Sequence, residues 1–328
     1  MKRKFIVTGG AGLIGSNIVR ELNQMEETDI LIVDHLGNSE KWKNLLDLKY
    51  KDYLEKDDFL NRIQNGNPFK KYTHTIHMGA CSSTTETNAS YLIQNNFEYT
   101  KVLCEYSLSN ETDFIYASSA ATYGDGMLGF DDDEKLITKL KPLNPYGESK
   151  NDFDKWVLEQ TVRPPFWSGL KFFNVFGPNE YHKGRMASVV YHAYNQIVET
   201  GGLNLFRSHN PDFKDGGQLR DFIYVKDIFK VIDFIITKKD NFKSGIYNLG
   251  TGKARSFLDL AMSVFHALDK KVDIKFIDTP IDIRDKYQYY TKAEMDKIRI
   301  QGYLASFYSL EAGIIDYIRN YLISGIYI

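Results

Sequence analysis

The amino-acid sequence predicts an α/β protein with a doubly wound parallel sheet and a second, smaller mixed α/β domain. Two observations lead to this fold class. Short apolar runs alternate with longer segments of helical period through the first half of the chain, which is the pattern of βα units. The chain also has 328 residues, a length that favours two domains. The alternation stops after Asn174, where Gly, Pro, Asn and His become frequent, so we expect the second domain to begin near that residue.

The elements of the first domain follow from the apolar runs, taken in chain order. A helical period predicts a helix at residues 13–24. The strands that the apolar runs predict lie at residues 4–8, 29–34, 72–78, 113–118 and 170–174, with strand-like runs returning at 222–225 and 245–249. The predicted first domain is therefore residues 1–175 with the returning segment 222–250, and the second is residues 176–221 and 251–328.

The composition is that of an ordinary globular protein. Hydrophobic residues make up 43% of the chain, charged residues 26%, and there are 8 prolines, which excludes wholesale disorder, collagen and coiled coil. With 41 basic and 43 acidic residues the net charge is −2, so the protein has no global field for nucleic acid or an anionic membrane. We expect neither as a partner, and any phosphate recognition has to be local.

The sequence also carries no sign of export or of a metal site. Only the apolar residues 5–7 stand between the basic N-terminus and the glycines at 9 and 10, which is too short for the apolar region of a signal peptide, and no run of 18 apolar residues occurs. Cys81 and Cys104 are too few for a disulfide framework. His74 and His77 lack a third ligand at useful spacing. We therefore expect a cytoplasmic protein without a metal.

A glycine-rich loop between the first strand and the first helix is the strongest functional signal. It contains Gly9, Gly12 and Gly15, which permit a tight turn and let backbone N–H groups at a helix N-terminus approach a pyrophosphate. Asp34 ends the second strand, 19 residues beyond Gly15, where a carboxylate can receive the ribose hydroxyls of adenosine. These features predict a Rossmann-type dinucleotide-binding domain; the alternative is a structural turn.

The residues after Asp34 bear on which dinucleotide is bound. A carboxylate at this position ordinarily favours NAD, because it repels the 2′-phosphate of NADP. However, His35, Lys41 and Lys43 follow in a loop, and Lys56 lies further on. These basic groups could hold the extra phosphate by charge-assisted hydrogen bonds; the alternative is an exposed basic loop.

The second signal is a tyrosine followed by a lysine four residues later, Tyr146 and Lys150. This spacing also arises by chance, but Pro142 and Pro145 mark the start of a helix, on which both side chains would share one face. A nearby ammonium and an oxidised nicotinamide would lower the pKa of Tyr146 from its usual value of about 10. Tyr146 could then exchange a proton with a carbinol while hydride moves to or from the nicotinamide.

Ser119 lies in the segment SSAATYG at 118–124, directly after the fourth predicted strand. In doubly wound folds ligands bind at the carboxyl ends of the strands. Ser119 is therefore placed to hydrogen-bond the reacting oxygen; the alternative is a solvated turn.

Several further segments give the sequence a family resemblance that covers almost the whole chain. They are GACSSTTE at 79–86, YASSAATYG at 116–124, NVFGP at 174–178, HKG at 182–184, MASV at 186–189 and RDFIYV at 220–225. With these motifs the sequence resembles the extended short-chain dehydrogenase/reductase (NAD-dependent epimerase/dehydratase) family. Within that family it is most similar to the epimerases that invert the side-chain carbon of an ADP-linked heptose.

The resemblance implies a catalytic cycle, a cofactor and an assembly. The cycle is transient oxidation of an ADP-heptose to a ketone and re-reduction by tightly bound NADP, for lipopolysaccharide core synthesis. One NADP per subunit and a homo-oligomer are implied, with a pentamer among the assemblies that the resemblance allows.

The resemblance also implies roles for particular residues. Tyr146 and Lys183 match the two acid/base residues, Ser119 a supporting hydroxyl, and Lys150 the residue that positions the cofactor and tunes Tyr146. Matching cofactor positions, besides the three glycines of the loop, are Leu13, Ile14, Asp34, His35, Lys41, Lys56, Met78, Gly79, Ala80, Cys81, Ser82, Asn95, Lys150 and Val175. Candidate substrate positions are Asn174, Arg185, His192, Phe206, Arg207, Ser208, His209, Arg220 and Tyr287.

Two features depart from the family pattern and leave alternatives open. Arg185 stands where the family has a small hydroxyl residue, and the segment 209–219 is longer and richer in Gly and Asp. Another nucleotide-sugar epimerase or reductase therefore stays an alternative. A 4,6-dehydratase is less favoured, because Ala120 and Ala121 stand where an Asp-Glu pair usually supplies acid and base. A non-catalytic dinucleotide-binding sensor is the alternative from another class. Lys183 itself has the alternative of a surface lysine.

Overall fold

The computed structural model describes residues 3–66, 69, 72–284 and 287–328. Its strands in chain order are β1 (Phe5–Thr8), β2 (Ile30–Asp34), β3 (Asp52–Glu55), β4 (His74–His77), β5 (Asp113–Ser119), β6 (Trp167–Phe172), β7 (Asn174–Phe176), β8 (Leu203–Phe206), β9 (Leu219–Tyr224), β10 (Gly245–Leu249), β11 (Ala254–Ser256) and β12 (Ile274–Ile277). Its α-helices are α1 (Leu13–Gln24), α2 (Lys56–Asn65), α3 (Ala89–Leu92), α4 (Tyr99–Ser109), α5 (Pro145–Glu159), α6 (Val189–Thr200), α7 (Val225–Lys238), α8 (Phe257–Ala267), α9 (Ile281–Arg284), α10 (Asp296–Ile300) and α11 (Leu310–Tyr317).

The main sheet has seven strands in the order β10-β6-β5-β4-β1-β2-β3. All its neighbours are parallel, with Phe5 of β1 opposite Ile30 on one side and His74 on the other. The strand order reverses between β1 and β4, which makes a crevice at the carboxyl ends of these two strands. The doubly wound fold class that the sequence predicts is confirmed.

Helices pack on this sheet through apolar faces. In α1 the residues Leu13, Ile18, Val19 and Leu22 are buried, at the spacing of one helical face. Helix α7 packs against α1, while α4 and α5 pack against β5. The apolar core therefore lies between the parallel sheet and its helices, and the loops at the strand ends are left free to form a site.

A three-stranded sheet and a two-stranded sheet complete the fold. The first has the order β11-β9-β7, with β9 parallel to β7 and antiparallel to β11. The second pairs β8 and β12 in parallel. The run predicted at 222–225 thus belongs to β9 in the small sheet and to the start of α7, whereas α7 and β10 return to the main sheet. The division of the chain at 175 and 222 stays a prediction.

Several strand ends differ from the sequence prediction. The strand predicted at 170–174 begins earlier, at Trp167, and is followed by a separate strand, β7, after Phe173. The apolar pattern did not predict this start because Gly169, which lies inside the strand, is a residue type typical of turns. A Cβ at Gly169 would lie 2.4 Å from the Tyr116 hydroxyl oxygen, so the glycine makes room for a neighbouring tyrosine. β3 was not predicted, since its sequence DYLE has no continuous apolar run.

Among the described residues, the longest helices are too short or too polar to cross a bilayer. Within the same residues, no three His, Cys, Asp or Glu side chains are grouped so that they could hold a metal ion.

Candidate active site

The carboxyl ends of β1, β4 and β5 open into a cleft of about 650 Å³ that segments of the second part of the chain also line. Many of the predicted site residues meet in its wall. These are Gly9, Gly12, Leu13, Ile14, Gly15, Asp34, Lys41, Met78, Gly79, Ala80, Cys81, Ser82, Ser119, Tyr146, Lys150, Asn174, Val175 and Lys183. Residues from the whole length of the chain thus form one concave site.

The glycine-rich loop lies against the segment that follows β4. Gly9 has φ +66°, and a Cβ on it would lie 2.5 Å from the backbone nitrogen of Gly79. A Cβ on Gly15 would lie 2.1 Å from the carbonyl oxygen of Gly9. Gly12 is the N-cap of α1 and has no side chain to accept from the first-turn N–H groups. The loop therefore leaves a bare helix N-terminus at the cleft, which fits a pyrophosphate.

Asp34 is buried at the end of β2 and is held from two sides. Its Oδ2 accepts from the backbone N–H of Ala11 at 2.8 Å, and its Oδ1 accepts from that of His35 at 2.7 Å. Lys41 Nζ lies 2.5 Å from the same Oδ1. The lysine predicted for phosphate binding is thus in the cleft and partly neutralises the carboxylate.

Three of the predicted cofactor residues do not line the cleft. The His35 side chain is largely exposed, with Nδ1 3.2 Å from Glu55 Oε2. Lys56 donates from Nζ to Asn95 Oδ1 at 2.8 Å, and both line a separate hollow of about 400 Å³. Lys56 and Asn95, both predicted to contact the cofactor, therefore lie together outside the wall of the main cleft.

Helix α5 brings Tyr146 and Lys150 to the cleft. Asn144 caps the helix by accepting from Gly147 N–H at 2.8 Å, and Pro145 begins it, so Tyr146 lies in the first turn and Lys150 one turn later. Lys150 donates from Nζ to the carbonyl oxygen of Ala117 on β5 at 2.9 Å. The expectation of a shared helical face is met, because both side chains line the cleft.

Burial shifts the pKa values of this pair in opposite directions. It raises the pKa of the Tyr146 phenol, against which the hydrogen bond with Ser119 acts. It lowers the pKa of Lys150 to about 8, against which the charge of Asp154 acts. Among the protein's own groups, burial of the tyrosinate thus outweighs the Ser119 hydrogen bond, and the lowering expected from Lys150 together with an oxidised nicotinamide stays a prediction.

Lys183 reaches the same cleft from a distant segment. It lies in a 3₁₀ segment, Tyr181–Met186, and its backbone N–H donates to the carbonyl oxygen of Glu180 at 2.9 Å. Burial lowers the pKa of Lys183, and the Glu180 carboxylate raises it in part. Glu180 is itself buried and accepts from the Ser188 hydroxyl at 2.7 Å. Lys183 is thus partly exposed at the cleft wall, and its acid/base role, with a surface lysine as the alternative, stays a prediction.

Arg220 and Tyr287 form a pair at the edge of the site. Arg220 is buried, its guanidinium lies 5.3 Å from the centre of the Tyr287 ring, and it donates to the carbonyl oxygens of Leu219 and Gln288. The Gln288 side chain lines the cleft and donates to the Gly124 carbonyl oxygen. Arg220 and Tyr287 are thus both next to Gln288, a residue of the cleft wall: Arg220 through a hydrogen bond and Tyr287 as its neighbour in the chain.

The other predicted substrate positions do not line the cleft. Arg185 and His192 are exposed, and residues 206–209 lie at the end of β8. The long segment 209–219 folds back on itself, with the Ser208 N–H donating to Asp215 at 2.8 Å and the Phe213 ring 5.4 Å from that of Tyr289.

The cleft wall also contains residues that were not among the predicted site residues, including His182, Gln288 and Thr291. His182 lies between the two ends of the site, and burial together with the charges of Lys41 and Lys183 lowers its pKa to about 4. Its position beside Lys183 was an available signal. Gln288 and Thr291 also line the cleft, but nothing in the local sequence distinguishes them.

A doubly wound sheet with a glycine-rich loop at its switch point and a Tyr-x-x-x-Lys helix beside it defines a class of dinucleotide-dependent enzymes. Residues 5–250 match the model of the NAD dependent epimerase/dehydratase family, and the chain belongs to that family. A nicotinamide dinucleotide is its cofactor class, and the glycine loop and Asp34 fit such a group.

Particular members of the family cover the whole chain. The chain is 50% identical over 325 residues to the ADP-L-glycero-D-manno-heptose-6-epimerase of Fusobacterium nucleatum, with 97% of each chain covered. It is 49% identical over 318 residues to the enzyme of the same name from Nitratidesulfovibrio vulgaris, with 97% and 98% covered. The crystal structure of the Helicobacter pylori ADP-L-glycero-D-manno-heptose-6-epimerase superimposes with a TM-score of 0.81 at 27% identity, covering 99% and 98% of the two chains. The chain is therefore an enzyme, which removes the alternative of a non-catalytic sensor.

Proposed function

We propose that this enzyme converts ADP-D-glycero-D-manno-heptose to ADP-L-glycero-D-manno-heptose with bound NADP, as a step of lipopolysaccharide core synthesis. The observation that carries the proposal is the meeting of Tyr146 and Lys183 in one cleft with the dinucleotide loop. The names of the relatives that share about half of its residues support the choice of sugar.

The reaction needs two proton-transfer groups because the reacting oxygen changes position. A bound nicotinamide would supply reversible hydride transfer, so that the side-chain carbon of the heptose could be oxidised to a ketone and reduced again on its other face. A ketone that rotates between the two transfers points its oxygen in two directions. One side chain cannot easily reach both, so Tyr146 serves one pose and Lys183 the other, each taking or giving the carbinol proton.

The shifted pKa values suit these roles. A raised pKa keeps the Tyr146 phenol protonated, so Tyr146 can donate to the oxygen that becomes a hydroxyl. A lowered pKa increases the neutral fraction of the Lys183 amine, so Lys183 can accept a proton. Ser119 hydrogen-bonds Tyr146 and would also hold the reacting oxygen, and Lys150 would position the cofactor.

The cofactor end favours NADP through Lys41. This lysine already lies 2.5 Å from the Asp34 carboxylate, which reduces the repulsion that the carboxylate would exert on a 2′-phosphate. His35 directly follows β2 and Lys56 directly follows β3, the neighbouring strand. Both would add hydrogen-bond donors near Asp34. Of the candidate substrate positions, Asn174 lines the cleft, and Arg220 and Tyr287 lie beside it, with Arg220 as a planar fork suited to the diphosphate of the ADP-sugar. Arg185, His192 and residues 206–209 lie outside the cleft wall and would have to contact the outer part of the ADP-sugar.

A dehydratase reaction has no support in the cleft. Ala120 and Ala121 line it at the positions where such an enzyme needs an acid and a base. A homo-oligomer of cytoplasmic subunits with one NADP each, and the division into a cofactor domain (1–175 with 222–250) and a substrate domain, are parts of the same proposal.

Turnover of the ADP-heptose tests the proposal. The purified protein is incubated with NADP and ADP-D-glycero-D-manno-heptose, and the two side-chain epimers are resolved by anion-exchange chromatography and NMR. We expect an equilibrium mixture of both epimers and no change in UDP-glucose under the same conditions. Conversion of UDP-glucose but not of the ADP-heptose would assign the protein to another nucleotide-sugar epimerase.

A further inference from the structure

Behind the cleft, a fully buried ion pair joins α5 to the main sheet. Asp154 on α5 and Lys171 on β6 are both 0% exposed, and Lys171 Nζ lies 2.6 Å from Asp154 Oδ2. The carboxylate accepts two more hydrogen bonds, from the Tyr116 hydroxyl to Oδ1 at 2.8 Å and from the Ser118 hydroxyl to Oδ2 at 2.6 Å. A buried charge is costly unless it is paired and hydrogen-bonded, and this pair meets both conditions.

The pair reaches Ser119 through one hydroxyl group. Lys171 also donates to Thr122 Oγ1 at 2.6 Å, and Thr122 Oγ1 donates in turn to the carbonyl oxygen of Ser119 at 2.8 Å. Ser119 ends β5 and hydrogen-bonds Tyr146 through its side chain. The buried lysine thereby holds the backbone of the serine that contacts the proposed acid/base tyrosine.

The pair also lies on the helical face that carries the Tyr146 and Lys150 side chains. Tyr146, Lys150 and Asp154 follow one another at intervals of four residues on α5, so they lie on one face of the helix. Lys150 donates to the Ala117 carbonyl oxygen of β5 at 2.9 Å, between the two β5 residues whose hydroxyls bind Asp154. The same short piece of β5 is therefore tied to α5 at two successive helical turns.

We propose that Asp154 and Lys171 are positioning residues for proton transfer, which hold α5 and the end of β5 in the register that keeps Tyr146, Ser119 and Lys150 together. This inference rests on the proposed function, because it presumes that these three side chains carry the chemistry. The Asp154 carboxylate has a second effect, since its charge raises the pKa of Lys150 against the larger lowering by burial.

The groups that face Lys150 determine this second effect. Burial lowers its pKa to about 8, and Asp154 on its own helix and Cys81 in the loop after β4 both raise it. His77 on β4 also faces Lys150, and burial with the lysine charge drives the pKa of His77 well below its ordinary value, so it adds no positive charge. If the Asp154 charge is removed, less remains to counter the lowering of the Lys150 pKa by burial, so this pKa should fall.

Removing both charges together tests the proposal without leaving an unpaired buried charge, which a single substitution would do. The variant is Asp154→Asn with Lys171→Met. The matched control is Asp152→Asn with Lys155→Met, which removes an ion pair of 3.4 Å from the more exposed side of the same helix. Titration of ¹³C-labelled lysines by NMR follows Lys150, whose signal is identified by its loss in Lys150→Met.

We expect the Lys150 midpoint, about 8 in the unaltered enzyme, to fall by about one pH unit in the buried-pair variant and to stay in place in the control. The alkaline limb of the kcat profile should move with it, and kcat should drop by about tenfold or more while KM and NADP affinity change little. If neither the Lys150 midpoint nor kcat changes in the buried-pair variant, the pair has only a structural role in the core and the proposal is wrong.

Two milder variants keep the test decisive if the buried-pair variant does not fold. Thr122→Val is nearly isosteric and severs only the link to Ser119, so it should lower kcat several-fold and leave the Lys150 midpoint in place. Lys171→Arg keeps the charge and should retain activity. Wild-type kcat in Thr122→Val would overturn the link to Ser119. The lysine titration needs no substrate. It therefore tests the effect of the Asp154–Lys171 pair on Lys150 even if the enzyme does not turn over the ADP-heptose.

Discussion

At the scale of single residues, the cleft holds the two proposed proton-transfer groups, Tyr146 and Lys183, whose pKa values burial moves in opposite directions. The pKa of Tyr146 is raised and that of Lys183 is lowered, because burial disfavours the charged form of each group. The groups that act against burial differ between the two residues. A hydrogen bond with the Ser119 hydroxyl lowers the pKa of Tyr146, whereas the buried carboxylate of Glu180 raises the pKa of Lys183. These shifts suit the two separate proton transfers that we propose for Tyr146 and Lys183.

Removal of either group should suppress epimerisation. Tyr146→Phe and Lys183→Met each delete one proton-transfer atom, so each should cost roughly 10²- to 10⁴-fold in kcat, measured by chromatography of the two heptose epimers. NADP affinity, followed by calorimetry, should change little in both variants. An ADP-sugar aldehyde that is one carbon shorter separates the two poses, and each single variant should fail chiefly in one of them. Wild-type epimerisation by Lys183→Met would mean that Tyr146 serves both faces.

Lys41 should determine the preference between the two dinucleotides. It is the basic residue of the predicted clamp that lines the cleft, and a hydrogen bond to a charged group contributes about 1.5–3 kcal/mol. Lys41→Ala should therefore weaken NADP by about tenfold or more and leave NAD nearly unchanged, as measured by titration calorimetry. Lys43→Ala, whose Nζ lies 2.5 Å from Glu40, is the control and should affect neither. Equal losses for NADP and NAD in Lys41→Ala would contradict the assignment.

At the scale of elements, the site depends on how three strand ends are joined to the segments that follow them. After β1 a tight glycine loop leads into α1, after β4 the chain packs on that loop, and after β5 a short 3₁₀ turn, Ala120–Tyr123, meets the start of α5. Each junction has a local sequence cause: glycines at the first, and the Asn144-Pro145 cap at the start of α5. The backbone of these junctions provides the groups that face the cofactor.

Gly15→Ala should damage the first junction. Its Cβ would lie 2.1 Å from the Gly9 carbonyl oxygen, so the loop has to shift, at about 1–3 kcal/mol in the free energy of unfolding. The shift should also lower dinucleotide affinity at least tenfold. Urea unfolding and calorimetry measure the two effects. Gly66→Ala is the matched control, because a Cβ there meets no atom within 4 Å. Full affinity in Gly15→Ala would show that the loop adapts without cost.

At the scale of the whole molecule, buried histidines couple the fold to pH. His74 lies in the main sheet, and its Nε2 lies 3.2 Å from Asp113 Oδ2. Burial and the nearby charges of Lys239 and Arg3 lower the pKa of His74 from 6.5 to about 3, and the pKa of His182 falls to about 4. Both are therefore neutral in the folded protein at pH values where the unfolded chain protonates them. Asp132, with a pKa raised to about 6, acts in the opposite direction over part of the range.

Stability should fall as the pH drops from about 6.5 toward about 3. In that window the unfolded chain binds a proton at His74 that the folded protein does not, which costs about 1.4 kcal/mol of stability per pH unit for each such histidine. Urea unfolding at pH 7 and pH 5 measures the difference. His74→Gln should reduce it by about 2 kcal/mol, whereas the same change at the exposed His266 should leave it unaltered. An identical pH dependence in His74→Gln would show that other groups cause the loss.

Much of the fold and of the cofactor site was determined by the sequence alone. The alternation of apolar runs with helical periods predicted the parallel sheet, and α1 was predicted with its observed bounds, Leu13–Gln24. The glycine loop, Asp34 and the Tyr146–Lys150 pair were found because each depends on local backbone geometry, which neighbouring residues in the chain specify. The resemblance extended this to Lys183, whose position in the cleft lies far from the other motifs in sequence.

Only the tertiary structure decided which distant side chains share an environment. It placed Gln288 and Thr291 in the cleft, left Arg185 and residues 206–209 out of its wall, and buried Asp154 with Lys171 behind it. It also showed that burial raises the pKa of Tyr146, an effect that the sequence argument did not include. The physical reason is that desolvation and long-range pairing depend on everything packed around a group. Residues far apart in the chain supply most of that packing, whereas a motif records only the geometry of its own few residues.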